Sequence, residues 1–210
     1  VKAIAARNGL FASFMPKPLP QDAGSGLHVN ISLERNGLNI FREFANGRRG
    51  ATDSFIAGIM ARTPEITLFL NPLSNSYERF GSFEAPKYVS WSYQNRSQLV
   101  RIPAAVGERV RMELRSPDPT MNPYLAFALM IAAGLEGMEK QMALPPAVDA
   151  DLYTADRSII AGLTELPNSL EQAIELAENS ELAKSVLGEE LLTKYIALKR
   201  EEVSAFAAAE

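Results

Sequence analysis

The chain has 210 residues, 47% of them apolar and 22% charged, with a net charge of −4, ordinary values for one large or two small globular domains. With no basic block and no apolar run of spanning length, neither nucleic acid nor a membrane is an expected partner. The absence of cysteine excludes disulfides, thiolate metal sites and cysteine nucleophiles, and fits a cytoplasmic location.

Residues 2–9 read as a short helix that stops at Gly9. Residues 10–15 are apolar enough for a buried strand, which Pro16, Pro18 and Pro20 would end. A Gly24-Ser25-Gly26 turn then runs into an alternating segment. A strand repeats every two residues, so His28, Asn30 and Ser32 share one face and Val29, Ile31 and Leu33 the other. Asn36-Gly37 predicts a hairpin turn, with 39–41 on the return strand. Helical spacing covers 51–71, and 71–86 is polar and turn-rich. Strands are expected at 88–93, 98–102 and 109–115. Asn122-Pro123-Tyr124 opens what reads as the longest apolar helix, 125–142, central to the core. Pro145-Pro146 marks a linker, and 147–168 reads as loop with an isolated Leu152-Tyr153 pair. Ser169-Leu170-Glu171-Gln172 resembles a capped helix start, and 180–206 is strongly helical. Strands followed by helices predict a single α+β domain. Residue 1 is not Met and the last residues, 207–210, are still helical in composition. The expectation is a piece of a longer protein.

His28 is the only histidine. A strand face carrying imidazole, amide and hydroxyl in a row suits the wall of a site. In 109–115, Arg111, Glu113 and Arg115 share a face, with Val110, Met112 and Leu114 behind. One reading is a solvated, salt-bridged face. The other is a carboxylate between two anion-binding guanidiniums, with Glu113 and His28 sharing a divalent cation. Six arginines but one lysine, Lys87, lie between residues 79 and 115. Arginine forks bind carboxylate and phosphate oxygens in pairs, so these are either surface arginines or the walls of an anion site. Glu84, in Ser82-Phe83-Glu84-Ala85-Pro86, is a loop carboxylate that a mobile lid could carry to a proton. The glycine turn is not a P-loop, because the GxxxxGK[ST] pattern is missing. The residues support a metal-and-anion site on strand faces and leave the reaction open.

Several stretches together resemble one family. They are Phe14-Met15-Pro16-Lys17-Pro18, Gly24-Ser25-Gly26-Leu27-His28, Asn71-Pro72 with Asn75-Ser76-Tyr77, Glu84-Ala85-Pro86, Asn95-Arg96-Ser97 with Arg101-Ile102-Pro103, and Arg111-Met112-Glu113-Leu114-Arg115 followed by Pro117-Asp118-Pro119 and Asn122-Pro123-Tyr124. In order and spacing the chain is similar to the C-terminal part of the catalytic domain of glutamine synthetase, bacterial type I-like, over roughly residues 1–205.

That resemblance implies ATP-dependent ligation of ammonia to glutamate through a γ-glutamyl phosphate, with Mg²⁺ or Mn²⁺. It implies His28 and Glu113 as metal ligands, and Arg101 and Arg111 toward the nucleotide phosphates. Arg79, Arg115 and Gly24 would hold glutamate, and Arg96 would face the transferring phosphoryl group. Glu84 would be the flap carboxylate that helps deprotonate ammonium, and Ser32 and Asn30 would line the nucleotide site. A ring-shaped homo-oligomer is implied for a full-length parent that also carries a β-grasp domain and the first part of the catalytic domain. The fragment alone is therefore expected to be inactive. The chain departs from the family where a second histidine becomes Asn30, where an asparagine becomes Ala23, and in a flap that looks one residue shorter. Tyr153 aligns with a tyrosine that some members adenylylate, but Thr154-Ala155-Asp156 lacks the usual context. Two alternatives are a γ-glutamyl ligase for another amine, such as a polyamine or ethanolamine, and a silent structural or regulatory paralogue. The functional side chains kept here argue against silence.

Overall fold

The computed structural model describes residues 1–45, 47 and 50–208; the expected helical terminus at 209–210 lies outside them. The chain is α+β. A short helix α1 (Lys2–Arg7) is followed by an extended segment to β1 (Val29–Ile31). Residues 10–15 form no strand, and Phe11 is 91% exposed. Apolar composition alone does not supply an edge with which a strand could pair. The hairpin β2 (Glu34–Arg35) and β3 (Leu38–Asn39) turns on Asn36 and Gly37, both at positive φ (53° and 78°), as a type I′ turn requires. The expected return strand is cut short because Asn39 caps the next turn: its Oδ1 accepts from the Phe41 N–H, and α2 (Phe41–Ala45) begins there.

Helix α3 (Ala51–Leu70) is longer and more deeply buried than α4 (Pro123–Glu139), so it, rather than 125–142, is the central element. Asn122 Oδ1 accepts from Tyr124 N at the start of α4, where Pro123 needs no donor. The two helices cross on glycine. A Cβ built on Gly58 would lie 2.2 Å from the Ala133 carbonyl oxygen, and one on Gly137 2.1 Å from that of Ser54. Arg62 of α3 clamps Glu136 of α4 with two hydrogen bonds, 2.7 and 2.8 Å.

The turn-rich stretch holds a 3₁₀ turn, Ser74–Arg79. The sheet continues with β4 (Trp91–Tyr93), β5 (Val100–Ile102) and β6 (Met112–Leu114), in the order β1-β6-β5-β4. These strands are shorter than expected. Tyr88 makes only an isolated bridge, and Arg109 lies in a 3₁₀ turn. Only β4 and β5 run parallel. The loop 147–168 contains a single turn of helix, α5 (Arg157–Ile160). Ser169 caps α6 (Leu170–Glu178), as its sequence predicts, through a bond from Gln172 N. The expected helix over 180–206 breaks at Gly188, at φ 77°, into α7 (Glu181–Leu187) and α8 (Glu189–Ala207). One sheet face, with Val29, Leu114, Val100 and Trp91, packs on the helices; the other face carries the polar row. Among the described residues no helix is long and apolar enough to cross a membrane.

Candidate functional site

Strand register builds the site. Asn30 pairs with Glu113, Glu113 with Arg101 and Arg101 with Ser92, so these four side chains form one row across the polar face. Strand β6 is central, flanked by β1 and β5. That is why Glu113 (6% exposed) and Arg115 (1%) are buried rather than solvated. The solvated-face reading is thereby overturned for these two residues.

Glu113 receives three cationic or donor groups. His28 Nδ1 lies 3.0 Å from Oε1, Arg115 Nη1 donates to Oε1 at 2.5 Å, and Arg101 Nη1 donates to Oε2 at 2.8 Å. Burial works against its charge, but the His28 hydrogen bond and the Arg115 and Arg101 charges outweigh burial and bring its pKa down to about 2. Arg111, on the same face, turns instead to Asn30, its Nε donating to Oδ1 at 2.8 Å.

Arg115 also ties the site to two loops. Its Nε donates to the Arg96 carbonyl at 3.2 Å and its Nη2 to the Glu84 carbonyl at 3.0 Å. Arg96 Nη1 meets Glu84 Oε1 at 2.7 Å. That bond, with the Arg96 and Arg115 charges, holds the Glu84 carboxyl below its usual range. Glu84 therefore acts here as an acceptor, and it becomes a better base only on leaving Arg96. Both Phe83 (φ 47°) and Glu84 (φ 67°) stand in the left-handed region, which costs a non-glycine residue roughly 1 kcal/mol or more.

Arg79, at the end of the 3₁₀ turn, is 4% exposed and donates through Nη1 to the Ser116 carbonyl at 3.0 Å. Its stem runs over the glycine turn. A Cβ on Gly24 would lie 2.3 Å from the Pro16 carbonyl oxygen and 2.9 Å from Arg79 Cγ, and one on Gly26 2.8 Å from Arg79 Nη2. The glycines thus admit an arginine to the cleft. Their spacing alone could not show this, because the partner lies more than 50 residues on. The cleft, about 210 Å³, has Lys17, Gly24, His28, Arg79, Phe83 and Glu84 on its walls. Ser32, expected on the same face as His28, lies beyond the end of β1 and is exposed.

Among the described residues no group of three or more histidine, aspartate or glutamate side chains could hold a metal. The pair His28–Glu113 does fit two adjacent ligand positions. An imidazole and a carboxylate are donor types a divalent cation accepts, and the two lie 3.0 Å apart on one face of the sheet.

Sequence reasoning assigned no role to Lys17 or Asn75, and considered Tyr153 only as a position that some family members adenylylate. Lys17 exchanges two hydrogen bonds with the Asn75 side chain, N–H to Oδ1 at 2.6 Å and Nδ2 to the carbonyl at 2.9 Å. Tyr153 donates to the Ala85 carbonyl at 3.3 Å, and burial pushes its phenol up to about 12. Lysine between two prolines in Pro16-Lys17-Pro18 was the one available signal of a fixed side chain.

The model of the glutamine synthetase catalytic domain matches residues 1–210. Glutamine synthetases of Clostridium saccharobutylicum and Methanosarcina mazei are each 42% identical over 207 residues, 96% of this chain and 47% and 46% of theirs. A solved GmaS–ADP complex has a TM-score of 0.86 at 31% identity, covering 99% of this chain and 49% of that one. A GmaS structure without ligand gives 0.84. The chain spans about half the length of the curated relatives it matches. Fold, site geometry and these similarities converge: the chain belongs to the glutamine synthetase catalytic-domain family, a family of ligases.

Proposed function

We propose that this chain supplies part of the active site of an ATP-dependent ligase that joins ammonia to glutamate, acting within a full-length, ring-forming homo-oligomer. The observation that carries the reading is the buried Glu113 carboxylate, gathered with His28, Arg101 and Arg115 beside a flap that Arg96 docks. The ADP in the related GmaS complex supports a nucleotide here.

In the first step a γ-carboxylate oxygen of glutamate attacks the terminal phosphorus of ATP, the bond to ADP breaks, and γ-glutamyl phosphate forms. The amine nitrogen then attacks the acyl carbon, the carbon–oxygen bond to phosphate breaks, and phosphate leaves. His28 and Glu113 would hold a Mg²⁺ or Mn²⁺ whose charge offsets that of the phosphates. Arg101 and Arg111 line the phosphate side, with Asn30 on the adjoining strand and Ser32 just past its end. Arg79 and Arg115 hold glutamate against Gly24, and Arg96 faces the phosphoryl group. Arg79 and Arg115 are buried and held by backbone carbonyls, so their positions are set before substrate arrives. Glu84 takes the ammonium proton after it leaves Arg96, and while docked it stabilises the cation. By this reading the 210-residue chain alone does not turn over.

A second reading, γ-glutamyl transfer to another amine, has two specific supports. Ala23 and Asn30 stand where the family resemblance implies an asparagine and a histidine, and two solved structures that the chain resembles carry the name GmaS. Phosphate release by the full-length protein with ATP and glutamate, against ammonia and a panel of amines, separates the two. A strong response to one amine with none to ammonia overturns the first reading, and no response to any amine overturns both.

A further inference from the structure

The flap tip is held from two sides. On one side Glu84 reaches Arg96 and Arg115. On the other, the Lys17 ammonium sits 4.4 Å from the centre of the Phe83 ring. Lys17 is 6% exposed, and lysine is seldom so buried unless its charge is paired. Among the described residues it forms no ion pair. Its ammonium donates to the Asp22 carbonyl at 2.5 Å and faces the negative face of Phe83. Its backbone is fixed by the two Asn75 bonds, within the 3₁₀ turn that ends in Arg79. Phe83 is 54% exposed, so burial of its ring does not account for its place. It stands next to Glu84, and both occupy left-handed backbone that would relax if released.

We propose that Lys17 is a positioning residue for Glu84: seated on the Phe83 ring, it latches the flap tip in the docked state. The consequence for catalysis rests on the function proposed above, but the latch itself does not. Loss of the latch leaves Arg79 and the sheet unmoved and lets Phe83 and Glu84 swing out together.

Amide hydrogen exchange over residues 81–86 of the full-length protein, without substrates, reads the latch directly, and turnover reads its consequence. Phe83→Leu keeps an apolar side chain without a ring face and is expected to speed exchange about three- to tenfold. Phe83→Trp, which offers a stronger face, is expected to exchange no faster than wild type. Lys17→Met should match Phe83→Leu, and the double variant should be no faster than the faster single one. In turnover, kcat should fall while KM for ATP holds. Unchanged exchange in Phe83→Leu, Phe83→Trp as fast as Phe83→Leu, or additive single effects each overturn the latch. If Lys17→Met fails to fold, the exposed Phe83 series decides alone. Exchange that behaves as expected in a protein without ligase activity overturns the proposed function and leaves the latch standing.

Discussion

In a Glu113→Gln variant, the carboxylate that receives His28, Arg101 and Arg115 becomes a neutral amide of nearly the same shape. The folded protein holds this carboxyl at about 2, against an ordinary 4.5. At about 1.4 kcal/mol per pKa unit, the difference corresponds to about 3 kcal/mol of stability. The pKa is depressed on folding, so the contribution is complete above about pH 4.5 and disappears as the pH falls through about 2. Glutamine has no proton to bind there, so the stability gap between wild type and variant should shrink by about 3 kcal/mol between pH 7 and pH 2. Glu136, also held near 2 by its Arg62 hydrogen bonds, is common to both proteins and cancels. Urea unfolding followed through the single tryptophan, Trp91, which is 1% exposed on β4, measures both stabilities. A gap equal at the two pH values would refute the claim that Glu113 is held ionised by its three neighbours.

Three further outcomes follow from the packing and the flap. Gly58→Ala places a methyl 2.2 Å from the Ala133 carbonyl oxygen and should cost about 1–3 kcal/mol in thermal unfolding; Gly162→Ala, with open space around it, serves as the silent control. Arg62→Lys loses the paired bonds to Glu136 and should cost about 1–2 kcal/mol in the same assay. Arg96→Ala frees Glu84 and, in the full-length protein, should lower kcat by about 10²-fold or more with little change in KM for ATP; a change confined to KM would contradict the docking role.

Local physics made much of the site legible. Alternation put His28 with Asn30, and Arg111 with Glu113 and Arg115, on single strand faces, and the register then set Asn30 and Arg101 on either side of Glu113. The Asn36-Gly37 turn and the Ser169 cap depend on two or three neighbouring residues, and both formed. What failed depended on distant partners. The apolar run 10–15 carries strand composition yet forms no strand. The break at Gly188 is the exception: glycine there is a local stop signal, masked because helical composition continues on both sides. Burial of Arg115 follows from the central place of β6, which no pattern within 109–115 encodes. The approach of Arg79 to Gly24 and Gly26, and of Lys17 to Phe83, joins segments whose sequences say nothing of each other.

Formation of γ-glutamyl phosphate from glutamate and ATP is open to a direct isotope test. The full-length protein should be given glutamate labelled with ¹⁸O in the γ-carboxylate, together with ATP and the amine that supports turnover, and the released phosphate analysed by mass. Each released phosphate should carry one labelled oxygen. Unlabelled phosphate released in step with product would contradict that intermediate.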